Sequence, residues 1–365
     1  MKVSDFKKWI NSYVQNKKNT EHDNSKISFF EYLEYIKKFV YSRKIDRLQF
    51  PLEIYIELTN RCNLDCIYCY KKVIGSRNDD ILPEKAIDII VENLGSNPAV
   101  LVILEGGEPL LHPRFIEIFY KFKEYSVAVD ILTNGTLFTP EIVHDLAKIF
   151  SQKYDSVQIS LDGLGDYNKV NRGIYGNLVL DNIKLLNDAG IIPRINCIVT
   201  KFNYLGTIDF IFYLEQNYKI SSLSFNIPMG HSFQDLILAD SEAIELYEKI
   251  IKIQDKLHFN IFGTIINIEP DCYNCPPVRN ESKDLFMRCT ALRAKICIAA
   301  NGDVYPCVFM ENRIPPLGNI LRDSLQEIWE SSYSIKFVQS LIQKNGRCLS
   351  CVNSQYCTQI CWGRK

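Results

Sequence analysis

Cys62, Cys66 and Cys69 fall within eight residues as a C-x3-C-x2-C array, directly after the apolar run 52–58. One loop can therefore aim three sulfurs at a single point. Thiolates so spaced ligate metal, and their number is informative: a cubane iron–sulfur cluster held by three leaves one iron open to a further ligand. That open iron separates a reaction site from an electron carrier. A single zinc ion is the competing occupant and would need a fourth ligand from elsewhere. No histidine lies close, the next one downstream being His112.

Two further groups of residues can do chemistry. Leu104-Glu-Gly-Gly-Glu-Pro109 sets two glycines, where backbone can approach a ligand closely, beside Glu108, an acceptor suited to an ammonium group. At the other end, nine of the thirteen cysteines follow residue 271. They include the run Cys348-x2-Cys351-x5-Cys357-x3-Cys361 and a Gly302-x4-Cys307 step downstream of Cys289. The terminal spacing suits a four-thiolate zinc site or an iron–sulfur cluster. A cysteine count of thirteen is odd, and the start Met1-Lys-Val-Ser-Asp-Phe-Lys-Lys-Trp9 has no apolar signal core. A secreted disulfide framework is therefore the weak alternative.

The elements that must position these groups follow from apolar periodicity. Short strand-like runs at 52–58, 99–104, 126–132, 156–161, 194–200 and 222–227 alternate with helix-like stretches near 83–94, 114–123, 140–150, 178–189 and 205–216. Such alternation predicts βαβ units and a parallel sheet, here an α/β partial (β/α)6 TIM-type barrel. In barrels of this kind chemistry gathers at the C-terminal ends of the strands, where the cysteine loop and the glycine pair both fall. Cys197, inside the fifth strand, is expected in the core, and Thr133 and Asn134 read as turn formers. A helix is expected at 241–257, then a hairpin over 295–309 turning at Asn301-Gly302, then one helix over 324–341. Residues 1–50 read as two amphipathic helices, 3–14 and 28–43, forming a helical N-terminal extension that docks on a domain edge. The expected division is 1–50, 51–265 for the barrel and 266–365 for a small cysteine-rich C-terminal domain. Lysine plus arginine, 42, nearly cancels aspartate plus glutamate, 43, so no nucleic-acid partner is indicated. No apolar stretch is long enough to span a bilayer, and a cytoplasmic protein is expected.

The cysteine array, with Tyr68 before its third member, resembles the signature of the radical S-adenosylmethionine (SAM) superfamily. Gly106-Gly107-Glu108-Pro109 resembles that superfamily's GGEP motif, which holds the amino group of SAM's methionine moiety. By the same resemblance Ser160, in Ile159-Ser-Leu-Asp-Gly163, contacts SAM's carboxylate or ribose, and Arg172, in Asn171-Arg-Gly173, pairs with that carboxylate. Leu132-Thr-Asn-Gly135 also resembles a family strand end. The C-terminal cysteines, with Leu317-Gly-Asn-Ile320 and Leu325-Gln-Glu-Ile-Trp329, resemble the SPASM domain, which carries auxiliary [4Fe-4S] clusters. The family pattern gives Cys289, Cys307 and Cys361 to a first auxiliary cluster; Cys297 either completes it or is a buried apolar filler. Cys348, Cys351 and Cys357 go to a second. The pattern expects a further cysteine beyond Cys361 that this sequence does not show, so either that cluster lacks one thiolate or Cys272 or Cys275 supplies it. These two could equally ligate zinc or donate a hydrogen atom to a substrate radical.

The resemblance implies an enzyme in which the first cluster passes one electron to bound SAM, giving methionine and a 5′-deoxyadenosyl radical that takes hydrogen from substrate. The protein binds, orients and excludes water, and a flavodoxin or ferredoxin supplies electrons. The leading expectation is oxidative maturation of a ribosomally made peptide, forming a crosslink or thioether. The alternatives are peptide epimerisation with a thiol donor, a small-molecule substrate such as a sugar or aminoglycoside, and a non-catalytic zinc module. Sulfatase-maturing relatives carry an aspartate directly after the Gly-x4-Cys cysteine; Val308 stands there, which disfavours formylglycine formation.

Overall fold

The computed structural model describes residues 48–96, 101–125, 127–229, 231–263 and 290–342. The expected helices at 3–14 and 28–43, together with Cys272, Cys275, Cys289, Cys348, Cys351, Cys357 and Cys361, lie outside the described residues. Seven strands follow one another both in sequence and across the sheet. They are β1 (Glu53–Thr59), β2 (Leu101–Gly106), β3 (Ala128–Thr133), β4 (Ser156–Ser160), β5 (Arg194–Ile198), β6 (Ser222–Asn226) and β7 (Asn260–Phe262). Every neighbouring pair among them is parallel. Helices α1 (Tyr70–Val73), α2 (Glu84–Ser96), α3 (Phe115–Glu124), α4 (Pro140–Ile149), α5 (Asp166–Arg172), α6 (Asn177–Asp188), α7 (Thr207–Asn217) and α8 (Asp240–Gln254) fill the crossovers.

Residue alternation divides each strand between two environments. Ile54, Ile56 and Leu58 of β1 join Val102, Leu104, Val129, Ile131, Val157 and Ile159 in the main core under the helices. The opposite face, the barrel lumen, takes Glu53, Tyr55, Glu57, Glu105, Asp130, Gln158, Arg194 and Asn196, several of them only half-buried. Helix α3 shows the matching helical spacing: Phe115, Ile118, Phe119 and Phe122 are buried at i, i+3, i+4 and i+7. Thr139 caps α4 by accepting from Ile142 N, with Pro140 at the first helical position.

The hairpin forms where Asn301-Gly302 predicts it: β8 (Lys295–Ile298) pairs antiparallel with β9 (Asp303–Tyr305), and β10 (Gly318–Asn319) adds to β9. Gly302 turns with φ +83°, which a side chain would resist. Strand β8 also lies parallel to β1, Cys297 opposite Tyr55, so the cysteine-rich region extends the barrel sheet directly. The ten strands run β10-β9-β8-β1-β2-β3-β4-β5-β6-β7, an open sheet whose edges are β10 and β7. Six βα units therefore build the partial barrel, and a further parallel strand flanks them on each side.

Two elements differ from expectation. Strand β7 was hidden because three residues are too few to show a period. The single helix expected over 324–341 is two, α9 (Leu325–Glu330) and α10 (Ser332–Ile342). Ser331 breaks it by turning extended and accepting from Ser334 N at 3.1 Å, while Ser334 Oγ donates to Ile328 O at 2.8 Å. Trp329, buried in α9, donates from Nε1 to Leu48 O at 2.9 Å and so ties this region to the chain just before β1. No helix among the described residues is long and apolar enough to cross a membrane.

Candidate active site

The loop carrying Cys62, Cys66 and Cys69 leaves the C-terminal end of β1 and is held from several sides. From β2, Gly107 N donates to Thr59 O at 2.7 Å and Glu108 N to Arg61 O at 2.8 Å. This explains both glycines. A Cβ on Gly106 would overlap the Thr59 carbonyl, and one on Gly107 the Arg61 carbonyl. Gly106 also has φ +132°. The close approach that sequence reasoning assigned to a ligand is made first to the cysteine loop itself.

From β3, Asn134 Nδ2 donates to Asn63 Oδ1 at 2.8 Å and lies 3.9 Å from Cys62 Sγ, while Asn63 Nδ2 donates to Thr136 Oγ1 at 2.8 Å. From the end of β4 comes Asp162, whose Oδ2 accepts the Tyr68 hydroxyl. Its Oδ1 accepts from Arg172 Nη2 at 3.0 Å and Ile198 N at 2.9 Å. The Arg172 guanidinium lies 5.5 Å from the centre of the Tyr68 ring, and Ile67 N donates to Asn171 O at 3.0 Å. Underneath, Arg77 Nη2 donates to the Cys62 and Leu64 carbonyls. The ends of β2, β3 and β4 thus each contribute a clamp on the loop.

The three thiols are free and half-buried. Burial pushes the Cys66 thiol up to about 11, against the pull of Arg172, and raises Cys62 as well. A bound metal must therefore displace protons from them. Ligands of one tetrahedral zinc–thiolate centre stand about 3.8 Å apart. Among the described residues, the set of three ligating atoms within 4.8 Å of one another is Glu57, Glu105 and Cys297, and the loop thiols do not form such a set. Three half-buried thiols presented by one loop suit a polynuclear iron–sulfur cluster with one iron lacking a thiolate.

Glu108 is fully buried at the mouth of the loop. Its Oε1 accepts from Thr133 Oγ1 at 2.7 Å and Leu110 N at 3.2 Å, and its Oε2 from Asn134 N at 2.7 Å. Desolvation pushes the carboxyl up to about 7, these donors opposing it. It brackets the ends of β2 and β3 and gives Thr133 and Asn134 a larger part than turn formation. Ser160 ends β4 half-buried, on the face opposite Ile159 and in register with Asn196. Arg172 is buried, with its Nε lacking a hydrogen-bond partner. Cys197 lies in the main core as expected. Cys297 is 1 % exposed in β8, and Cys307 is half-buried just after β9.

Sequence reasoning passed over three residues that organise this region: Asp162, Arg77 and Lys71. Asp162 had a signal, since it follows a strand end in Ser160-Leu-Asp-Gly163. Lys71 had none, because nothing in Tyr70-Lys-Lys-Val73 says which lysine is buried.

Comparison with known proteins agrees with this arrangement. The radical SAM superfamily model matches residues 56–207, and the model of the iron-sulfur cluster-binding SPASM domain matches residues 289–352. The mycofactocin maturase MftC of Mycobacterium tuberculosis is 26% identical over 329 residues, covering 87% of this chain and 80% of MftC. The antilisterial bacteriocin subtilosin biosynthesis protein AlbA of Bacillus subtilis is 29% identical over 322 residues, covering 84% of this chain and 66% of AlbA. The crystal structure of Streptococcus suis SuiB bound to precursor peptide SuiA shares the fold, with a TM-score of 0.71 at 23% identity over 99% of this chain and 84% of that one. The chain carries a radical SAM domain followed by a SPASM domain, and is an enzyme of SAM and a [4Fe-4S] cluster.

Proposed function

We propose that this enzyme oxidatively matures a ribosomally made peptide, forming a crosslink or thioether. The observation that carries the reading is the span of the likeness to MftC and AlbA, which covers more than four-fifths of this chain. By name one is a maturase and the other a bacteriocin biosynthesis protein, and SuiB is bound to a precursor peptide. Cys62, Cys66 and Cys69 are the proposed ligands of the SAM-binding cluster. Cys289, Cys307, Cys348, Cys351, Cys357 and Cys361 are those of the auxiliary clusters, Cys297 being a further candidate for the first, with Cys272 or Cys275 filling the set or serving as thiol donor. A flavodoxin or ferredoxin is the proposed electron source.

Bound at the loop, the cluster and SAM supply reductive carbon–sulfur cleavage and a carbon-centred radical that removes hydrogen from substrate. The chain's own residues do the remaining work. Asp162 and Arg172 hold Tyr68, and with it the loop, against β4. Glu108 locks the ends of β2 and β3 around the place where SAM would lie. The half-buried lumen residues Gln158, Asn196 and Asn226 offer amides able to pair with a peptide backbone, and Asn196 already accepts from Asn226 at 2.8 Å.

The test incubates enzyme, SAM, reductant and a short precursor encoded beside the gene. A product lighter by two hydrogens (~2 Da) is expected. Unchanged mass with deuterium uptake from heavy water would replace this reading with epimerisation. Turnover of a sugar with the peptide untouched would replace it with small-molecule chemistry.

A further inference from the structure

We propose that Glu57, Glu105 and Cys297 bind one divalent cation of the zinc type, at a site in the barrel lumen separate from the cysteine loop. Glu57 and Glu105 are opposite one another on β1 and β2, and Cys297 reaches them from β8 on the other side of β1. One ligating atom from each lies within 4.8 Å of the other two. Ligands of a tetrahedral ion stand roughly 3.3–3.8 Å apart, so the proposed ion would draw these side chains closer together.

The side chains are also incomplete as they stand. Glu57 is fully buried, yet its Oε1 has no hydrogen-bond partner, and the buried Oε1 of Glu105 has none either. Buried carboxylate oxygens are rarely left so. The other oxygen of Glu57 is already oriented: Oε2 accepts from Lys71 Nζ at 2.8 Å, and that ammonium is fixed by Asn60 Oδ1 at 2.8 Å and Glu311 Oε2 at 3.1 Å. An outer contact of this sort commonly holds a ligating carboxylate in place.

Charge points the same way. Glu57, Glu105 and Glu311 face two ammonium groups, Lys71 and Lys295, and a ligating Cys297 thiolate adds one more negative charge, so the pocket carries a net negative charge that a divalent ion would offset. Asp130, also on the lumen face, is paired with Arg194.

The donor set selects the metal. Two carboxylates and one thiolate are too soft for magnesium or calcium and too oxygen-rich for an iron–sulfur cluster, which leaves a borderline ion such as zinc. Three protein ligands with Glu105 only half-buried leave a fourth position facing the lumen, the arrangement of a zinc site that takes an exchangeable ligand. Cys297 then serves this ion and not an auxiliary cluster.

The experiment uses full-length holoenzyme, reconstituted anaerobically with iron and sulfide, stripped of loose metal and titrated with zinc. Wild type is expected to retain one zinc per chain beyond its iron. Zinc-edge X-ray absorption should show one sulfur at about 2.3 Å and oxygens at about 2.0–2.2 Å. Glu105→Gln and Cys297→Ser should each weaken zinc binding at least ~10-fold, with iron and sulfide per chain unchanged. Absence of retained zinc or an all-sulfur shell in the wild type overturns the proposal without reference to any variant. Undiminished zinc affinity in Glu105→Gln overturns it too. So does loss of iron in Cys297→Ser, which would return that thiol to a cluster.

Discussion

Replacing Arg172 by Met should destabilise the fold and loosen the cysteine loop together. The pair it forms with Asp162 is almost wholly removed from water, with the side chains 6% and 0% exposed. Deleting one partner of such a pair typically costs about 3–5 kcal/mol, because the other charge stays buried without compensation. Asp162 would keep the Tyr68 hydroxyl and Ile198 N as donors, which argues for the lower end, about 3 kcal/mol. Adding Asp162→Asn removes the stranded charge, so the double variant should recover about 1–2 kcal/mol of that loss. The assay is anaerobic urea unfolding of the four proteins of the cycle, followed by circular dichroism, with iron per chain measured in parallel. If Arg172 served chiefly to pair with the SAM carboxylate, Arg172→Met would weaken SAM binding and leave the unfolding midpoint in place. A stability loss below about 1 kcal/mol would therefore refute the structural reasoning.

Three further outcomes follow from the same geometry. Gly107→Ala should sharply lower iron content and SAM cleavage, because the new methyl overlaps the Arg61 carbonyl. Gly190→Ala, at φ +80° with nothing within 4 Å, should cost only about 1 kcal/mol and leave iron intact. Glu108, raised from 4.5 to about 7, holds its proton more tightly folded than unfolded. Its contribution to stability is thus full below about pH 4.5 and is lost as pH rises through about 7. Glu57 and Glu105 act with the same sign, so Glu108→Gln should make the decline in unfolding midpoint between about pH 5 and 7 shallower without abolishing it. Cys66→Ser should abolish SAM cleavage, measured as 5′-deoxyadenosine, while the far-ultraviolet circular dichroism of the described barrel persists.

Much of the fold was legible because the strand face turned to the helices carries a regular apolar alternation. Ile54, Ile56 and Leu58 against one face, with helices such as α3 at regular spacing, announce βα units. The hairpin was legible from Asn301-Gly302, whose backbone demand is local. Strand β7 and the break at Ser331 were not. A three-residue strand has no period, and the serine contacts that end α9 depend on how two helices meet. The site divides in the same way. The spacing of Cys62, Cys66 and Cys69 is a property of one loop, whereas Asp162, Asn134 and Arg77 act on that loop from elsewhere in the chain, Asp162 at a sequence separation of 94 from Tyr68.

By itself the sequence determined the chemistry of the centre: three thiols after a first strand, two glycines after a second, and a cysteine-rich end. Those are local facts, set by residue type and short spacing. Only the tertiary structure decided what the glycines approach, which charges face Arg172, and that Cys297 stands beside Glu57 and Glu105. These depend on strand order and register, which bring β8 against β1 and turn the charged residues of β1 and β2 into the lumen. Pairing across a sheet leaves no trace in spacing along the chain, because the energy that selects it belongs to contacts between segments far apart in sequence.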